Sequence, residues 1–173
     1  FDGINCQSGL YCIFIFSIFF FKNTLPYFSL ILILSLFIFL IFNFKNKMYL
    51  GESGILILAY IIGYIFVKTT KISEINFFVD EIFIIMALPG IDMFRLFLTR
   101  IYKGKHPFSS DTNHIHHLLS KKISHEKSVL LIFLFIFLTT VIYFNIKFKI
   151  IFLTIYFLMY ILIIFVLTKK LPN

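Results

Sequence analysis

The sequence predicts an all-α, polytopic integral membrane protein with about six transmembrane helices. Hydrophobic residues fill 60% of its 173 positions and charged residues only 14%, against roughly 25% charged in a soluble domain. The apolar residues fall in continuous runs, without the period-2 alternation of barrel strands. In lipid only helices and closed barrels satisfy every backbone group. The formal net charge of +8 would in a soluble protein suggest nucleic acid. Here the bases lie between apolar runs, so the expected partners are the lipid bilayer and an anionic substrate, with no nucleic acid. Two cysteines, Cys6 and Cys12, are too few for a disulfide framework and read as ordinary small apolar residues.

Taken in order, the first apolar run covers 8–21 and is short for a span of about 20 residues. Lys22 to Pro26 interrupts it, and Pro26 suits the first turn of the next helix. The second run, 27–44, is almost unbroken. A polar loop over 43–54 leads to the third run, 55–67. After a polar stretch at 68–74, the fourth run spans 75–89 and carries Asp80 and Glu81. Acids inside apolar runs are expensive and often functional, although an interfacial position also explains these two. A long basic loop, 90–127, precedes the fifth and sixth runs at 128–144 and 150–167. No repeat of 20–50 residues is evident.

Six spans put successive loops on alternating sides. Eleven of the sixteen Lys and Arg residues then share a side with loops 1–7, 43–54 and 90–127. The positive-inside bias makes that side cytoplasmic. The loops of unusual polar composition therefore fall on one face.

The longest polar interruption, Gly104 to His117, holds four of the five histidines, three of them in His114-Ile115-His116-His117. Imidazole can donate to phosphate, ligate a metal or move a proton near neutral pH. At helical spacing His114 and His117 share a face, with His116 pointing elsewhere. No cysteine and no His-Glu-x-x-His pattern accompanies them, which argues against zinc. Arg100, Lys105 and the imidazoles look more like a cradle for phosphates. An exposed, pH-sensitive loop is the plainer reading. Gly51-Glu52-Ser53-Gly54 places a carboxylate between two glycines just ahead of a span, with helix capping by Ser53 as the plainer reading. Asp2-Gly3-Ile4-Asn5 offers a carboxylate and an amide on a turn, or a simple surface turn. Asp92 and Arg95, three apart, read as a structural ion pair.

In this order these stretches resemble the polyprenyl-phosphate N-acetylhexosamine-1-phosphate transferases (glycosyltransferase family 4). That family includes the undecaprenyl-phosphate GlcNAc-1-phosphate transferases and, more distantly, the phospho-MurNAc-pentapeptide translocases. The resemblance runs from Asp2 to about Leu119. Its most specific part is Leu88-Pro89 with Asp92, then Arg100, Gly104-Lys105, Pro107-Phe108, Asp111, Asn113 and the His-Ile-His-His element. Gly51 to Gly54 is similar to the family's Gly-Asp-Ser-Gly loop, with Glu52 in place of Asp. Asp2 to Asn5 is similar to the end of its Asn-rich Asp-Gly loop, with Asn5 in place of the second Asp and Cys6 in place of the following Gly. Thr112 stands where Arg is common. The family's Asp-Asp motif would lie ahead of Asp2.

The resemblance implies transfer of a sugar-1-phosphate from a UDP-sugar to polyprenyl (undecaprenyl) phosphate, with release of UMP, in cell-envelope and lipopolysaccharide biosynthesis. It implies catalytic roles for Asp2, Glu52, His114, His116 and His117. It implies substrate binding by Asn5, Arg100, Lys105, Asp111 and Asn113. Mg²⁺, replaceable by Mn²⁺, would be held by Glu52 and Asp2. The expected setting is one multi-pass transmembrane domain over 1–173 in the bacterial inner membrane, able to form a homodimer. The chain would be the C-terminal part of a longer transferase and inactive alone. The alternative is a fragment of a polytopic transporter or metal-ion permease, which would carry its ionisable residues at mid-span.

Overall fold

A computed structural model describes residues 6–71, 77–109 and 113–169. Among them the chain is all α-helix, in the order α1 (Gln7–Phe21), α2 (Pro26–Phe44), α3 (Gly51–Lys71), α4 (Val79–Tyr102), α5 (Ile115–Ser120), α6 (His125–Asn145) and α7 (Lys149–Lys169). Five of these, α2, α3, α4, α6 and α7, are long and apolar enough to cross a membrane. The polytopic α-helical class is therefore borne out. With 15 residues, α1 falls short of the roughly 20 that a straight span needs. The α2 and α7 helices keep most of their apolar surface exposed, as lipid-facing spans do.

Two compact units make up the chain, Phe1–Ile82 and Phe83–Asn173. In the first, α1 and α2 form a helical hairpin. Gly9 allows the close approach, since a Cβ there would lie 2.7 Å from Leu40 Cδ2. The hairpin is fastened at its open end by the buried Asn43. Its Oδ1 accepts the Cys6 N–H at 2.6 Å and its Nδ2 donates to Met48 O at 2.6 Å. Phe19 is the centre of an aromatic cluster, with edge contacts to Phe16, Phe66 and Phe77. Lys22 lies 4.5 Å from the Phe77 ring centroid and 2.5 Å from Glu81 Oε2. That oxygen also accepts the Phe78 N–H. Glu81 is thus a capping and ion-pairing residue at the start of α4, which satisfies the cost of an acid beside an apolar run.

Three helices stop by the same device. After α1, α2 and α4 comes one residue of positive φ, namely Asn23, Asn46 and Gly104. The next N–H reaches back five residues, from Thr24 to Phe19 O, Lys47 to Phe42 O and Lys105 to Arg100 O. This is the Schellman arrangement, and asparagine and glycine are the residues that tolerate its left-handed position.

The helix bounds differ from the apolar runs at two places. Gly51 to Gly54 forms the first turn of α3 rather than the end of a loop. The α4 helix also runs through Pro89 to Tyr102, so the polar connection begins at Lys103, not Gly90. It contains α5 and ends where α6 begins, at His125. Proline removes one helical hydrogen bond, but within a span the remaining backbone groups have no better partner than the helix itself.

Candidate functional site

The second unit is organised around a carboxylate. Asp92 lies on α4 with 1% of its surface exposed. Its Oδ1 accepts from Arg95 Nη2 at 2.8 Å and Nε at 3.3 Å, and from Tyr160 Oη of α7 at 2.8 Å. Its Oδ2 faces His114 Nδ1 at 2.9 Å and the Ile115 N–H at 3.3 Å. Arg95 Nε also donates to Tyr160 Oη at 2.9 Å, and Arg95 Nη2 to Asn113 O at 2.7 Å. Three segments thus meet on one buried charge: α4, α7 and the start of α5. Burial of an ion is tolerated only where its lone pairs are met in this way.

The α5 helix begins at Ile115, so His114 is its N-cap residue, without a side-chain cap bond. Asp92 takes that place, receiving the first helical N–H from another helix. The histidines are therefore not arranged as the helical spacing predicts. His114 and His116 stack nearly parallel (centroids 5.3 Å apart, 8° between planes), and His116 meets His117 at 4.3 Å. His116 is buried, at 1% exposure. Burial first, then the neighbouring His117 and His114, push its pKa down to about 3. Burial also lowers that of His117. At neutral pH His116 is a neutral spacer between its neighbours.

The stretch ahead of α5 is shaped by its own sequence. Gly104 ends α4. The Ser109 N–H then donates to His106 O at 3.0 Å, closing a turn with Pro107 in the position that proline's fixed φ favours. Phe108 packs edge-on against Phe97 at 5.9 Å. Arg100 Nη1 donates to Pro107 O at 2.8 Å, tying the turn to the last turn of α4. At the far end of α5, Lys122 Nζ donates to Val166 O at 2.9 Å, fixing the start of the α5–α6 connection to α7.

Two spaces result. One is a cavity of about 310 Å³ whose lining includes Arg95, Thr99, Arg100, Lys103, Lys105 and Asn113. Four of these carry positive charge. The other is an apolar groove of about 480 Å³, with Ile91, Phe94, Leu98, Phe157, Ile161 and Ile164 among its walls. Arg95 and Thr99 line both spaces. A cationic cavity that shares walls with an apolar groove suits an amphiphile with an anionic head.

Of the residues singled out in the sequence, Arg100, Lys105 and Asn113 line this cavity, and His114, His116 and His117 form one imidazole cluster. Asp2, Asn5 and Asp111 lie outside the described residues. Glu52 is exposed in the first turn of α3, in the first unit. Its hard carboxylate suits Mg²⁺, but no group of three His, Cys, Asp or Glu side chains able to hold a metal occurs among the described residues. The described residues do not by themselves make a metal site. The sequence reading placed Asp92 and Arg95 as an ion pair, which the structure bears out, but missed their link to His114. It missed Lys103 and Tyr160 altogether. Lys103 could have been found from its place beside Lys105. Tyr160, in a run of Phe, Ile, Leu and Tyr, gave no signal.

The chain is similar to curated proteins named undecaprenyl-phosphate alpha-N-acetylglucosaminyl 1-phosphate transferase. The Escherichia coli protein is 30% identical over 77 residues, covering 44% of this chain and 21% of that protein. The Haemophilus influenzae protein is 32% identical over 75 residues (43% and 21%) and the Pasteurella multocida protein 31% over 77 residues (44% and 22%). The match thus spans about a fifth of the length of these relatives, and it bears out the resemblance read from the motifs. No family model matches the chain, and no solved structure matches it.

Proposed function

We propose that this multi-pass chain is part of an enzyme that transfers N-acetylhexosamine-1-phosphate from a UDP-sugar to undecaprenyl phosphate, releasing UMP, at the cytoplasmic face of a bacterial inner membrane. The observation that carries this reading is the junction of the cationic cavity and the apolar groove at Arg95 and Thr99. A polyprenyl phosphate is such an amphiphile, with a long apolar tail and a small, doubly acidic head. The names of the curated relatives support the same acceptor.

In this reading Arg100, Lys103 and Lys105 offset the charge of phosphate groups brought together for transfer. Charge-assisted hydrogen bonds of this kind are worth about 1.5–3 kcal/mol each. His114 and His117 engage the diphosphate of the sugar donor, while His116, neutral and buried, keeps them apart. Glu52, with Asp2, is proposed to hold Mg²⁺, which prefers carboxylate and phosphate oxygens. Groups that meet developing charge lower the barrier most where their positions are fixed beforehand, and the Asp92 network supplies that fixation for His114.

Two measurements test the reading. The chain in nanodiscs is titrated with undecaprenyl phosphate and with undecaprenol, which lacks the anionic head. Preference for the phosphate by about tenfold or more is expected, and Arg100→Ala/Lys105→Ala should abolish it. Equal binding of the two lipids would remove the acceptor assignment. UMP release from UDP-N-acetylglucosamine is then followed in native membranes. His114→Ala/His117→Ala should depress it by about 10²–10³-fold, the usual loss for a donor aimed at developing charge. Near-normal release would remove the histidines from the mechanism.

A further inference from the structure

We infer that Asp92 is the positioning residue for His114: it holds the imidazole as the Nδ1–H tautomer, so that Nε2 is the nitrogen that works on the substrate. The role given to Nε2 rests on the transfer reaction proposed above. The tautomer itself does not, because it follows from the contacts alone.

A neutral imidazole carries one proton on either nitrogen, and its hydrogen-bond partner decides which. His114 Nδ1 lies 2.9 Å from Asp92 Oδ2. A carboxylate only accepts, so Nδ1 must donate and the lone pair of the neutral ring stays on Nε2. The carboxylate is itself fixed. Oδ1 is occupied by Arg95 and Tyr160, from two different helices, and Oδ2 also receives the Ile115 N–H. Asp92 therefore cannot rotate without giving up donors on both oxygens. Parallel stacking on the buried His116 fixes the plane of the His114 ring. A buried carboxylate behind an imidazole is the arrangement that orients a histidine for proton transfer or anion contact at its other nitrogen.

The same contacts say what an amide would do. In Asp92→Asn the oxygen must stay beside Arg95 and Tyr160, which are donors. The NH₂ then faces His114 and can only donate. His114 Nδ1 becomes the acceptor and the proton moves to Nε2, so the ring can no longer take up a proton at Nε2 and meet the diphosphate as an imidazolium backed by a carboxylate. Asp92→Glu keeps an acceptor, and Tyr160→Phe removes one donor from the far oxygen without altering what His114 meets.

The test is ¹⁵N NMR of the imidazole nitrogens of the chain in nanodiscs, above the pH at which His114 is protonated. His114 is assigned from the spectrum of His114→Gln. The wild type should show Nδ1–H, as should Asp92→Glu and Tyr160→Phe, and Asp92→Asn should show Nε2–H. A wild-type signal from the Nε2–H tautomer overturns the proposal outright, even if Asp92→Asn does not fold. So does an unchanged tautomer in folded Asp92→Asn. No transfer activity is needed for this readout, so failure of the proposed reaction would appear separately, as lack of UMP release. In native membranes Asp92→Asn should lower turnover by about 10²-fold, with KM for the UDP-sugar little changed and partial rescue by Asp92→Glu. Unchanged turnover despite the switched tautomer would also overturn the assignment of Nε2 as the working atom.

Discussion

At the scale of single residues, three of the buried polar side chains, Asn43, Glu81 and Asp92, join segments far apart in sequence. Asn43 clips the start of α1 to the α2–α3 connection through two hydrogen bonds of 2.6 Å. Glu81 accepts from Lys22 and from the backbone of Phe78. Asp92 collects donors from Arg95, His114, Ile115 and Tyr160. None of these long-range pairings has a periodic trace in the sequence. The Asp92–Arg95 spacing was readable because it lies within one helix, whereas the Tyr160 and His114 partners, 68 and 22 positions away, were not. Asn43 gives a direct check on what such a clip is worth. Asn43→Ala leaves the Cys6 N–H and the Met48 carbonyl without this partner, and an unsatisfied buried group costs about 1–3 kcal/mol. A lowered thermal midpoint is expected for the chain in detergent. Asn43→Asp, which keeps only the acceptor, should fall between the two.

At the scale of elements, the sequence marked the helices well and their ends poorly. Continuous apolar runs leave lipid-embedded backbone little choice but helix, so α2, α6 and α7 lie close to the runs that predict them. The run ending at Pro89 is the exception: Asp92 and Arg95 read as a pair, but a proline followed by polar residues reads as a helix end, whereas α4 runs on through both. Short α5 is held by outside contacts: Asp92 at its start, Lys122 just beyond its end and the packed imidazoles between. This makes α5 sensitive to pH in a defined sense. Unfolded, His116 titrates near about 6.5; folded, burial and its two neighbours hold it near 3. Between these values the unfolded segment binds a proton that the folded one does not, so stability rises with pH. The full stability of α5 is present above about pH 6.5 and is lost as pH falls toward 3. Hydrogen exchange reads this through the amides of Leu118 and Lys121, which donate to His114 O and His117 O. Corrected for intrinsic rate, their protection should drop between pH 7.5 and pH 5. His116→Leu should flatten that dependence. Constant protection across this range in the wild type would mean that His116 takes up its proton without leaving its place.

At the scale of the whole molecule, the arrangement matters because it decides from which side substrates arrive. Among the described residues five helices are apolar enough to cross a membrane, and in the second unit α6 and α7 are joined by a connection of only a few residues, Ile146 to Phe148. That connection must lie at one surface, and the end of α4, α5 and the start of α6 at the other. The basic residues divide unevenly between the two. Arg100, Lys103, Lys105, Lys121, Lys122 and Lys127 lie at the α5 end, and Lys147 and Lys149 at the other. Cytoplasmic loops carry the excess of Lys and Arg, so the cationic cavity should open to the cytoplasm, where UDP-sugars are made. Ser109, on the cavity wall, and Lys147, in the α6–α7 connection, report on the two sides. With Cys6 and Cys12 replaced by Ala, Lys147→Cys should react with a membrane-impermeant maleimide added to spheroplasts. Ser109→Cys should react only after the membrane is opened. The reverse pattern would place the cavity on the outside, away from any cytoplasmic sugar donor, and the proposed transfer could not occur there whatever the cavity binds. Labelling of both sites from outside would mean that α6 does not cross at all, against its length of 21 residues and an 18-residue stretch of mean hydropathy 2.3, which suit a helix that spans the bilayer.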